Sequence, residues 1–141
     1  MLLAILGVAI SVVHSFDVFW QLQNGRYMVE TMSMIRTDTF TLAADVPRHE
    51  HTWLHSLILF GLYKVAWYSA ISVLKGVVIA ATASFLTLAA RRRKSSWPAI
   101  AVVLPVFLLT SGGWLERPQI WTFLCTALFI WWVEGYLSRP S

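Results

Sequence analysis

Four consecutive cations, Arg91-Arg92-Arg93-Lys94, close an apolar run from about Ala70 to Ala90. An apolar run of about 20 residues is long enough to cross a bilayer as a helix. Lys and Arg clustered beside such a run orient it, because cytoplasmic loops carry the basic excess. The quartet is therefore expected in the cytoplasm. Residues 17–68 then fall on the periplasmic or external side, where any chemistry is expected.

Composition agrees with a membrane setting. Of 141 residues, 57% are hydrophobic and 13% charged, with a mean hydropathy of +0.64. Soluble domains carry roughly a quarter charged residues. The net charge of +4 does not point to nucleic acid, because the basic excess sits in one quartet and is not spread over a face. The single cysteine, Cys125, excludes an internal disulfide framework and reads as a buried, inert thiol. Aromatic residues gather near predicted segment ends (Phe16, Phe19, Trp20, Trp53, Trp67, Trp97, Trp114, Trp131, Trp132), as an interfacial belt would.

The expected architecture is an all-α integral membrane protein forming a single membrane domain. It has about four transmembrane helices and an external interfacial helical region. The first span, about 1–16, has no basic start and no small-residue cleavage pattern before Asp17, so it reads as a retained helix and not a signal peptide. Residues 17–68 form an external loop with amphipathic helices. Its first helix alternates Phe19, Leu22, Tyr27, Met28 and Val29 with Gln21, Gln23, Asn24, Arg26 and Glu30, and has Gly25 as a weak point. Arg36-Thr37-Asp38-Thr39-Phe40-Thr41 reads as a turn into an extended stretch, and Pro47 ends the loop. His51–Tyr68 is apolar but interrupted by His51, His55, Tyr63 and Lys64. Were it to cross, the basic quartet would land outside, so an interfacial or re-entrant helix is expected. Spans follow at about 70–90, 97–114 (kinked at Pro105) and 118–137.

Several residues invite chemistry. Asp17 opens the external region. It is either a solvated cap of the following helix or a base or cation ligand facing a membrane-level cavity. Lys75 lies just inside the 70–90 span. It either snorkels outward or meets a counter-charge, such as Asp17 or a bound phosphate. His51 and His55 are spaced i, i+4, a metal-ligand spacing that lacks a third ligand, so interfacial hydrogen bonding is the expectation. Glu116-Arg117-Pro118 reads as a salt-bridged helix start with Pro in the first turn. Alternatively, Arg117 faces an anionic ligand. Glu134 is read as an interfacial anchor beside Arg139.

The order of these features resembles a known family. It runs Phe16-Asp17-Val18-Phe19-Trp20, Asn24-Gly25-Arg26-Tyr27, Asp38-Thr39-Phe40-Thr41, His49-Glu50-His51-Thr52-Trp53-Leu54, Lys75, and Arg117-Pro118-Gln119. The pattern is similar to the N-terminal part of bacterial GT-C-type membrane glycosyltransferases, the superfamily of protein O-mannosyltransferases and lipid A aminoarabinose transferases. The resemblance implies that Asp17 is the catalytic acidic residue of the first loop. It implies that Trp53 and Leu54 pack beside the membrane and that Lys75 and Arg117 contact the phosphate of a polyprenyl-linked sugar. His51 and His55 stand beside these as candidate substrate-binding residues. It also implies further spans beyond residue 141, so the chain is incomplete as a catalyst by itself. A divalent cation is the one cofactor it admits. The sequence departs from the pattern after Asp17, where the family carries two aromatic residues and a histidine.

Two other readings remain beside it. The chain is a non-catalytic subunit packed in a larger membrane complex, energy-converting or light-harvesting, or it is an envelope assembly scaffold. Its partners are the lipid bilayer in every case, a lipid-linked sugar in the first, and other membrane subunits in the second. All three place it in a bacterial inner membrane with the quartet cytoplasmic.

Overall fold

The computed structural model describes residues 7, 15–37, 47, 50–92, 101 and 116–138. The expected spans at 1–16 and 97–114, the Pro105 kink and the Glu134–Arg139 pairing fall largely or wholly outside them. Among the described residues the fold is all-helical: α1 (Asp17–Thr31), α2 (Trp53–Arg91) and α3 (Gln119–Leu137). Two of these, α2 and α3, are long and apolar enough to cross a membrane. The described chain falls into two compact units, one of residues 15–71 and one containing 72–138.

α2 is two helices in series. Its 39 residues would extend for about 58 Å as one rod, well beyond the roughly 30 Å of a bilayer's hydrocarbon layer. The backbone breaks at Ala66 (φ −146°, ψ 33°) and Trp67 (φ 55°, ψ −147°). A positive φ is strained for a bulky L-residue and persists only where surrounding contacts hold it. The rings of Tyr63 and Trp67 stack edge to face at 5.4 Å, and Tyr63 meets Tyr68 at 5.2 Å. This aromatic cluster brackets the break. The first arm, 53–65, is about 20 Å long and by itself too short to cross. The second arm, 68–91, reaches about 36 Å and is long enough.

In the unit of residues 15–71, α1 ends at Met32, a left-handed cap (φ 51°). The chain then passes Thr37, which pairs antiparallel with Pro47. That bridge closes the loop whose ends the sequence marked. α1 packs on the first arm of α2 at Gly25. A Cβ there would lie 2.7 Å from Phe60 Cβ and 2.9 Å from the Ser56 carbonyl carbon. Gly25 is thus a site of close backbone approach and not the weak point expected.

In the unit containing 72–138, the second arm of α2 and α3 run side by side. Lys75 meets Glu116, Phe85 meets Trp131 at 5.6 Å, and Arg92 meets Trp131 and Gly135. Contact positions rise together along both segments, so the two helices are parallel. The Lys75–Glu116 end and the Arg92 end are opposite ends of the pair. Hydroxyls on this arm bond back within the helix: Thr82, Ser84 and Thr87 donate to the carbonyls of Val78, Ala80 and Ala83 at 2.7–2.8 Å. Such bonds leave no hydroxyl in need of water. α3 buries only Ile120 and Ala127, while Phe123, Phe129, Trp132 and Tyr136 are exposed. Cys125, expected buried, is exposed too, because so little of α3 is covered within the described chain.

Candidate functional site

Asp17 sits in the first turn of α1 and is exposed. The first turn presents backbone N–H groups without intrahelical acceptors, which favour a negative charge. α1 therefore presents a solvent-accessible carboxylate at its start, immediately after Phe16, which is itself exposed.

The face that holds α1 in place is mixed. Gln21 (6% exposed) and Asn24 (1%) are buried with Val18, Leu22 and Met28, whereas Phe19 (56%) and Val29 (43%) are exposed. Leu22 and Met28 of the amphipathic pattern thus face the contact, and two polar side chains join them there.

A polar knot joins Asn24, Glu50 and Thr52. Asn24 Nδ2 donates to Glu50 Oε2 at 2.7 Å. Glu50 Oε1 accepts the backbone N–H of Thr52 at 3.1 Å and also the Thr52 hydroxyl. Glu50 thus caps the start of α2 and ties it to α1 with the same carboxylate. Gln21 Oε1, Asn24 Oδ1, Ser15 Oγ and Ser56 Oγ are buried with no hydrogen-bond partner among the described residues. Burial without a partner is costly for such atoms, and ordered water commonly supplies one at a buried polar site. Sequence reasoning missed this knot. Its one local signal was a glycine amid polar residues in a helix.

The histidines separate. His51 lies in the turn before α2 and is exposed, and His55 is buried in the first turn of the helix. They do not share one helix face. Among the described residues no three of His, Cys, Asp and Glu gather as a metal site.

Comparison with known proteins finds no matching family model, curated protein or solved structure.

In the other unit, Lys75 Nζ donates to Glu116 Oε1 at 2.6 Å, and both side chains are almost completely buried (2% and 1%). Glu116 is thus a counter-charge of Lys75, a pairing not among those expected. Arg117 is adjacent and exposed, so the start of α3 offers a guanidinium beside the neutralised pair. The structure brings Lys75 and the Glu116-Arg117 dipeptide together, while Asp17, His51 and His55 belong to the first unit.

Proposed function

We propose that this chain is the front portion of a bacterial inner-membrane sugar transferase of the GT-C kind, which takes sugar from a polyprenyl-phosphate carrier. One observation carries the reading: an exposed carboxylate, Asp17, opens a helix too short to cross, directly behind an apolar segment. A general base needs that accessibility. In the reaction, the acceptor oxygen bonds to the sugar C1 and its proton passes to Asp17. The C1–O bond to the carrier breaks, and its electron pair leaves with the phosphate. The resemblance gives the contact with that phosphate to Lys75 and Arg117. Lys75 is buried against Glu116, so its part at its own end of the helix pair is to hold that end together.

The parallel course of the second arm and α3 fits both crossing a membrane in the same direction, with Arg91 and Arg92 at the shared end. The positive-inside rule then puts that end in the cytoplasm and the Lys75–Glu116 end outside.

The test uses membranes carrying the full-length protein and a panel of radiolabelled polyprenyl-phosphate sugars. Asp17→Asn is expected to reduce transfer about 100-fold or more. Undiminished transfer by this variant refutes the assignment. A subunit reading draws on the apolar, exposed face of α3. Stoichiometric membrane partners co-purifying with a protein that transfers no sugar would favour it.

A further inference from the structure

The second arm of α2 and α3 end together at a cleft of about 510 Å³ lined by Arg92, Trp131, Trp132, Gly135, Tyr136 and Ser138. Arg92 Nη1 donates to the Trp131 carbonyl at 2.8 Å, and its guanidinium lies over the Trp131 ring, 4.5 Å from the centroid. That contact fixes the plane of the guanidinium but uses only one of its five N–H donors. No carboxylate among the described residues pairs with Arg92. Gly135 makes room for it: a Cβ there would collide with Nη1 and lie 2.9 Å from Cζ.

We propose that this cleft binds the phosphate of an anionic phospholipid. A pre-oriented guanidinium with free N–H donors matches phosphate oxygens better than a point charge does. Trp132 and Tyr136 are exposed at the rim, where amphipathic rings suit the headgroup level. Both helices are of membrane length and terminate here, so a lipid headgroup is delivered to the cleft by the bilayer itself. Two helix C-termini and Glu134 oppose an anion, against which stand Arg91 and Arg92 at the end of α2 and, in the sequence, the continuation of that basic run. Basic clusters of this kind beside a transmembrane segment attract anionic lipid.

The test compares lipid retention by the full-length protein, purified in detergent and equilibrated with phosphatidylglycerol or phosphatidylcholine, by native mass spectrometry. The wild type is expected to retain phosphatidylglycerol in preference to phosphatidylcholine. Arg92→Gln should lower that retention about tenfold, the loss of one charge-assisted fork. Arg91→Gln removes the same charge one residue away and should leave most of it. Arg92→Lys keeps the cation without the fork and should fall between wild type and Arg92→Gln. Wild-type retention by Arg92→Gln, equal losses from Arg91→Gln and Arg92→Gln, or displacement of the lipid by inorganic phosphate at equal concentration would each overturn the proposal. If Arg92→Gln loses its helical circular dichroism, Arg92→Lys decides: undiminished retention overturns the site, and reduced retention supports it.

Discussion

Removing one partner of the Lys75–Glu116 pair should be among the most damaging single changes in the chain. The two side chains bond at 2.6 Å with 2% and 1% exposure. Truncating Lys75 to Met leaves a buried carboxylate beside an apolar side chain, and truncating Glu116 to Leu leaves a buried ammonium. Either loss of a buried ionic partner costs about 3–5 kcal/mol. Replacing both together removes both desolvation costs, so the double variant should lie within about 1 kcal/mol of wild type, or above it. The coupling energy from the cycle is then several kcal/mol, far beyond the roughly 0.5 kcal/mol scatter of independent sites. Thermal unfolding in one detergent, read by circular dichroism for all four proteins, measures it. Additive effects, or single variants costing less than about 1 kcal/mol, would mean that the pair is hydrated and would refute the reasoning.

Gly25→Ala should destabilise the contact between α1 and α2 by about 1–3 kcal/mol, reversing the gain of up to about 1 kcal/mol that alanine brings to an open helix. Faster proteolysis of the 15–71 unit would register it, and a stabilised variant would contradict the close approach. Glu50→Ala strips Asn24 and Thr52 of an acceptor and should cost about 1–3 kcal/mol, seen as a lowered melting temperature. His51→Ala should shift stability by less than about 0.5 kcal/mol, whereas His55→Ala should cost clearly more. Equal effects from the two histidines, measured by the same melts, would argue against their separation by burial.

What could be read from the sequence was what depends on near neighbours along the chain. α3 matches the expected 118–137 span because Pro118 precedes a continuous apolar run. The second arm of α2 likewise ends at the basic quartet. The break between the two arms falls at Ala66 and Trp67, near the end of the segment His51–Tyr68 that the sequence set apart from the following span. The facing of α1 was legible only in part. Leu22 and Met28 are buried at the contact, but the burial of Asn24 could not be read, because its partner Glu50 lies 26 positions further on. Nor was the Lys75–Glu116 pair legible, since the partners are 41 residues apart and no helical spacing relates them. Gly25 was misread for the same reason: what lies against a glycine is invisible until a second helix is placed there.

That separation of 41 residues bears on how the protein is made. A ribosome adds about 5–20 residues per second, so Lys75 leaves it roughly 2–8 s before Glu116 has been synthesised. On the membrane reading, the ammonium enters the insertion machinery well ahead of its carboxylate. The second arm must wait at a hydrated position, or be chaperoned by another polar group, until the later helix arrives to neutralise it.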